Sequence, residues 1–319
     1  MITEEQRKQR KNFIGASDIA ALFTDDEGKS LNPFATALDV WALKVYDQEP
    51  DSQKESKAIS IGHRYESALI EFAEGELGCK IGTHPESMRF VDKKHLDKNG
   101  NPVFACNLDG LTVYDGVTNE IVEAKTTGLT GEWGEPGTDD VPFRVLLQVQ
   151  HQMLCTGLLK AHIAVLLGKW GLEEHMYVVE RNEDIITAIV ERGLQFWNEH
   201  VLTKIPPPDS EPGNIELFKR IIRVPEKFAE VDNSLIGEWE TRKTERLYSE
   251  KLEKIAFAEL LLELGDAEGV NMDAGRTLTY FKQERNGIDS KLLKADYPEV
   301  HKAVQKTSVF RVARIKKGK

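Results

Sequence analysis

Asn107-Leu108-Asp109-Gly110, followed by Ile121-Val122-Glu123-Ala124-Lys125, is the stretch from which the rest of the chain is read. In a strand, side chains two apart share a face, so Glu123 and Lys125 point together while Val122 and Ala124 point the other way. Charge on one face and small apolar groups on the other imply a sheet that is buried behind and polar in front. A turn centred on Asp115 to Asn119 would set Leu111 opposite Glu123 and Asp109 opposite Lys125. Asp109 and Glu123 then become diagonal neighbours on one face, within about 7–8 Å.

Two carboxylates that converge so closely repel each other unless a cation or a proton sits between them. With oxygen as the only ligand type and a lysine adjacent, Mg²⁺ or Mn²⁺ fits better than zinc. Ions held in this way can bridge a scissile phosphate, lower the pKa of an attacking water and stabilise the leaving oxygen. Lys125 would then orient that water and offset charge in the transition state. An E-x-K triplet alone, on an exposed strand, is only a cross-face ion pair worth about 0–1 kcal/mol. What strengthens the signal is an Asp-Gly before it, across a hairpin, and further acid and amide groups on either side.

Working outward, Ser17 can cap a short apolar helix in Ile14–Phe23, and Asn32-Pro33 reads as the start of a helix to about Tyr46. A polar link, Asp47–Lys57, precedes a third helix of about Ala58 to Leu77, with Gly78 as its stop and Ile61, Tyr65, Leu69 and Phe72 at helical spacing. That helix carries Gly62-His63-Arg64-Tyr65-Glu66, where the glycine could admit a neighbouring element. Period-two runs at about 86–91, 103–108, 111–114 and 120–126, punctuated by Asn99-Gly100, Asp109-Gly110 and Asp115-Gly116, predict a small antiparallel sheet. After a Gly-rich loop come a helix at about 143–156, strands at 161–167 and 174–180, and a helix at about 183–201. On the first of these helices, Gln148 and Gln152 lie one turn apart on one face. The order predicts an α+β core, a central sheet flanked by helices.

The run Pro206-Pro207-Pro208-Asp209-Ser210-Glu211-Pro212-Gly213 continues neither element type, so the predicted division is a domain at 1–205, a linker at 206–213 and a C-terminal region at 214–319. That region reads as a charged helical arm, about Glu226 to Leu264, braced by i,i+4 ion pairs, then strand-like runs around 277–281 and 309–315 in a small basic α/β extension.

The chain has 319 residues, 40% apolar and 30% charged, and no apolar stretch near the roughly 20 residues needed to cross a bilayer. Its charged start lacks the apolar core of a secretory signal, so a cytoplasmic protein is expected. Cys79, Cys106 and Cys155 are far apart and odd in number, which supports neither a disulfide framework nor a zinc ribbon. A net charge of −11 argues against a whole-surface nucleic-acid binder. Charge is uneven, however: from Arg276 to Lys319, twelve Lys or Arg stand against four acids, so the basic tail is one candidate DNA surface.

With these pieces in order, the chain resembles the YqaJ-type viral recombinases, relatives of phage lambda exonuclease within the PD-(D/E)XK nuclease superfamily. The matching pieces are Ile14-Gly15-Ala16-Ser17-Asp18-Ile19-Ala20, Gly62–Glu66, Leu108-Asp109-Gly110, Glu123-Ala124-Lys125-Thr126-Thr127 and Leu147-Gln148-Val149-Gln150-His151-Gln152-Met153. The resemblance implies a nuclease that degrades one strand of linear duplex DNA from a 5′-phosphorylated end and leaves a 3′ overhang for a single-strand annealing partner. It implies Mg²⁺, with Mn²⁺ as a substitute and two ions per site, held by Asp109, Glu123 and the Ala124 carbonyl. Glu66 would be an outer or direct ligand, while Lys125 and Gln148 position the nucleophile. The 5′-phosphate pocket maps onto Ser17 and Arg10, a reasonable pairing of hydroxyl and guanidinium. Related toroidal members are trimers, which implies a trimeric ring here. Leu108 stands where the family usually has proline, a residue that ligates nothing. The alternatives are an endonuclease on the same core and an inactive DNA-binding scaffold for recombination.

Overall fold

The computed structural model describes residues 9–46, 57–83, 88–114, 117–168, 171–208, 218–219, 221, 224–284 and 289–305. It separates into two compact units, Met1–Ile222 and Arg223–Lys319. The division falls beyond the Pro-rich run, of which Asp209–Gly213 lie outside the described residues.

In the first unit the elements run β1 (Ile14–Gly15), α1 (Ala37–Val45), α2 (Lys57–Leu77), β2 (Lys80–Gly82), β3 (Arg89–Val91) and β4 (Phe104–Asn107). There follow β5 (Gly110–Tyr114), β6 (Val117–Thr127), α3 (Phe143–Thr156), β7 (Lys160–Gly168), β8 (Leu172–Glu180) and α4 (Glu183–Phe196). A five-stranded sheet in the order β2-β5-β6-β7-β8 is antiparallel except between β6 and β7, which run parallel and are joined through α3. The α+β architecture with a central mixed sheet flanked by helices is therefore the one the sequence predicts.

The small antiparallel sheet expected over 86–126 is instead divided between two sheets. β4 leaves its successors and pairs in parallel with β1 (Ile14↔Phe104) and antiparallel with β3 (Phe90↔Cys106). The break falls at Leu108-Asp109, so the acid sits where the chain passes from one sheet to the other. No apolar pattern announces β1, a two-residue strand whose partner is far along the chain.

Helices cover both faces of the large sheet. Leu69, Ile70 and Ala73 of α2 pack on Val122, Ala164 and Leu166, whereas Val145, Val149 and Met153 of α3 pack on Ile121, Ile163 and Val165. The polar front expected of β6 is thus roofed by α3, and Glu123 is buried. Each fully buried Leu, Ile or Val contributes about 1.5–3 kcal/mol, and β7, buried on both faces from Ala161 to Leu167, is apolar there except for His162 for that reason. In α2 the apolar stripe works only over its C-terminal half, because Ile61 and Tyr65 remain exposed. Gly62 has open space around it, so no close approach explains it. Gly78 ends the helix with a positive φ of 63°.

Local corrections concern helix starts. Ser17 caps nothing; Ile19–Leu22 form a single 3-10 turn headed by Asp18. α1 begins four residues after Asn32-Pro33, where the Thr36 hydroxyl accepts the Asp39 N–H and the Asp39 carboxylate accepts the Thr36 N–H, closing a capping box. Asn32 spends its side chain on the Phe34 N–H instead. The helix expected to reach Val201 is α-helical only to Phe196 and continues as a π-turn, Trp197–Val201.

In the second unit α5 (Asn233–Leu264) starts later than the sequence suggests and has no buried residue. Exposed Arg246–Glu250 and Arg242–Glu238 pairs lie at i,i+4, as expected of a solvated arm. β9 (Gly269–Asn271) pairs with β10 (Thr277–Thr279), and two short helices unanticipated in the sequence, α6 (Ser290–Asp296) and α7 (Pro298–Val304), follow. The run at 309–315 lies outside the described residues. No helix among the described residues is long and apolar enough to cross a membrane.

Gly110 has a packing role. A Cβ there would stand 2.5 Å from the Ile81 side chain and 3.4 Å from that of Ile70. Gly110→Ala is expected to destabilise the unit by about 1–3 kcal/mol, as overpacking does, and to displace the adjacent Asp109. Urea denaturation reads the loss, and an unchanged midpoint would contradict the packing.

Candidate active site

The β5–β6 register differs from the one the sequence suggests by two residues. Gly110 pairs with Val122 and Leu111 with Ile121, with an irregularity before Val113, and Tyr114 pairs with Val117. Extending the pairing by one step brings Asp109 level with Glu123 rather than diagonal to it. A two-residue slip preserves the faces, so the convergence survives. The Asp109 carboxylate accepts the Ala124 N–H at 2.9 Å, which ties it directly to the strand carrying Glu123 and Lys125.

Glu123 is 3% exposed, and both its oxygens are engaged. Oε1 accepts from Lys125 Nζ at 2.7 Å and from Gln148 Nε2 at 2.5 Å, and Oε2 accepts from Gln152 Nε2 at 2.6 Å. Lys125 also donates to Gln148 Oε1 at 2.9 Å. Gln148 and Gln152 reach down from α3 because they share one helix face, the face turned to the odd-numbered residues of β6. The resemblance gives Gln148 a role and leaves Gln152 with none. Their four-residue spacing, extended backwards to Arg144, is the available signal. Arg144 pairs with Glu132 of the Gly-rich loop and stands close enough to Lys125 to act on its charge.

The electrostatics are those of a crowded acidic site. Burial, then the Glu123 carboxylate, push the Asp109 carboxyl up to about 8, against the opposing pull of Lys125 and the Ala124 N–H. Glu66 adds to the rise, so it lies within electrostatic reach of Asp109. Burial works against the Lys125 ammonium, but Glu123 and Asp109 outweigh it and hold its pKa above the ordinary lysine value. Among the described residues no three His, Cys, Asp or Glu side chains converge as a ready-made metal cluster. The Asp109–Glu123 pair nevertheless fits a divalent ion: its donors are all oxygens, and a cation would offset both the burial and the Glu123 charge that push the Asp109 carboxyl up.

Arg10 and Ser17 also come together, with an Arg10 Nη2 to Ser17 Oγ contact of 3.2 Å at the surface. A buried ion pair stands behind them. Lys44 Nζ donates to Asp18 Oδ2 at 2.6 Å and to the Arg10 carbonyl at 2.8 Å, and the same Asp18 oxygen accepts the Gly15 N–H at 3.0 Å. Burial works to raise Asp18, yet Lys44 and then Arg10 hold its carboxyl below the ordinary value. Burial depresses Lys44 more than Asp18 restores it. Lys44→Met would strand a buried carboxylate and is expected to cost about 3–5 kcal/mol in chemical denaturation. A loss within experimental error would mean that the pair does not brace this corner.

Comparison with known proteins bears on this arrangement. Residues 5–159 match the family described as the YqaJ-like viral recombinase domain. The match lies wholly within the first unit, which is similar to that family over those residues. The YqaJ-like match contains Arg10, Ser17, Glu66, Asp109, Glu123, Lys125, Gln148 and Gln152, and stops just short of β7. The uncharacterized protein YqaJ of Bacillus subtilis (strain 168) is 26% identical over 326 residues, covering 98% of this chain and 93% of that protein. Likeness to that protein therefore continues through the second unit. Among solved structures, an alkaline exonuclease from Laribacter hongkongensis is 17% identical with a TM-score of 0.45, covering 64% of this chain and 94% of that one. A phage related exonuclease from Haemophilus somnus 129PT is 12% identical with a TM-score of 0.41, covering 60% and 96%.

Proposed function

We propose that this YqaJ-like protein is a divalent-metal-dependent deoxyribonuclease that resects linear duplex DNA from 5′-phosphorylated ends and leaves 3′ overhangs for an annealing partner. The observation that carries the reading is the junction of Asp109, Glu123 and Lys125 beneath α3, with Asp109 pushed up to about 8 by burial and by its acidic neighbour. Mg²⁺ or Mn²⁺, two ions per site, would be held by Asp109, Glu123 and the Ala124 carbonyl, with Glu66 as an outer or direct ligand. Bound there, such ions supply Lewis acidity and a more acidic water.

The protein's own groups do the rest. Lys125 carries a positive charge into a site walled by the sheet and α3, where a fixed charge acts more strongly than in water. Gln148 holds the Lys125 ammonium by its Oε1 and Glu123 by its Nε2, so one amide sets the separation of base-side and acid-side groups. Arg10 and Ser17 supply a guanidinium and a hydroxyl for the terminal phosphate, which makes the cut depend on an end. A ring of three copies would enclose the duplex and confine positive potential to its channel, reconciling DNA binding with a net charge of −11.

The test is digestion of 5′-phosphorylated linear duplex beside covalently closed circles in Mg²⁺. Loss of the linear species with survival of the circles is expected. Equal loss of circles would replace this reading with an endonuclease, and no loss of either would replace it with an inactive DNA-binding scaffold.

A further inference from the structure

Gln152 is fully buried, and it makes an uneven set of contacts. Its Nε2 gives a 2.6 Å hydrogen bond to Glu123 Oε2, while its Oε1 reaches no donor among the described residues. The orientation is forced by chemistry, since the turned-over amide would set two oxygens against each other. An orphaned buried acceptor is costly and uncommon, and where it persists it marks a side chain kept for its other contact. Gln150, two residues earlier and equally buried, is the counter-example. It bonds the Glu180 carbonyl at 2.7 Å and the Asn182 N–H at 2.9 Å, leaving neither end free.

The two oxygens of Glu123 therefore differ. Among the described residues, Oε2 is held on the buried side by a single amide with no competing cation. Oε1 is shared by Lys125 and by Gln148, both of which are only partly buried and can yield. We propose that Gln152 is a positioning residue for divalent-cation binding: by pinning Oε2 it aims Oε1 of Glu123 at the space shared with Asp109. This rests on the metal-dependent reading above and adds to it a residue that touches neither metal nor DNA. Side chains that orient a metal ligand in this way typically govern about 10–100-fold in affinity.

The test is Mn²⁺ titration by calorimetry on the full chain without DNA, comparing wild type, Asp109→Asn, Gln152→Met, Gln152→Asn and Gln150→Met. Gln152→Met keeps the volume without the amide. Gln152→Asn keeps the amide one methylene short, and serves if the first variant does not fold. Both are expected to bind Mn²⁺ about 10–100-fold more weakly than wild type. Gln150→Met is expected to lower the melting temperature with Mn²⁺ affinity intact. Wild-type affinity in both Gln152 variants, alongside lost binding in Asp109→Asn, overturns the role of Gln152 alone. Binding that survives Asp109→Asn overturns the metal site itself.

Discussion

Replacing Lys125 with alanine is expected to lower turnover by at least about 10²-fold, with DNA binding largely kept, the usual consequence of removing one transition-state stabiliser. The ammonium lies 2.7 Å from Glu123 Oε1 and 2.9 Å from Gln148 Oε1, so it is fixed before any substrate arrives and needs no reorganisation. Its charge is secure, since Glu123 and Asp109 hold its pKa above the ordinary value despite burial. Without it, the two acids face each other with one less counter-charge, and a divalent cation should be held no more weakly. Initial rates on 5′-phosphorylated duplex, with binding measured separately in Ca²⁺, check both halves. Unchanged turnover would remove Lys125 from the mechanism.

Asp109→Asn is expected to remove nearly all activity and, in chelator at pH 8, to stabilise the protein. The wild-type carboxyl titrates at about 8 in the folded state against 3.8 in the unfolded chain, because burial and Glu123 oppose its ionisation. Between those values the native state holds a proton that the unfolded state has lost, so stability falls as pH rises from about 4 to about 8. The full favourable contribution is present only below about pH 4, and the loss across this window is on the order of a few kcal/mol. Asparagine cannot ionise and keeps an oxygen for the Ala124 N–H, so its denaturation midpoint should lose this slope. If wild type and variant show the same pH dependence in chelator, burial and Glu123 do not hold the Asp109 carboxyl protonated.

What the sequence makes legible is local. Alternation along Ile121–Lys125 assigns faces that hold in the structure, and the Asp-Gly before it marks the acid that faces Glu123. The register differs because Tyr114 pairs with Val117, not with the later partner that a turn centred on Asp115 to Asn119 would give, and an irregularity before Val113 leaves a slip of two residues at Leu111. The start of α1 is ambiguous in sequence because Asn32-Pro33 and Thr36 both resemble caps, and only the reciprocal bond with Asp39 distinguishes them. Nothing local could reveal that Phe104 leaves its neighbours to pair with Ile14, or that α3 roofs Glu123, since both depend on how separate layers stack. For the same reason Gln152 looks like one more polar-face residue. Its meaning depends on a carboxylate 29 positions away.

Locating Mn²⁺ by anomalous scattering in crystals soaked at neutral pH tests the account most directly. A peak bridging the Asp109 and Glu123 carboxylates, at the roughly 2.0–2.2 Å expected of a small divalent ion on oxygen ligands, is predicted. Manganese bound only elsewhere, with Lys125 still closed on Glu123, would contradict it.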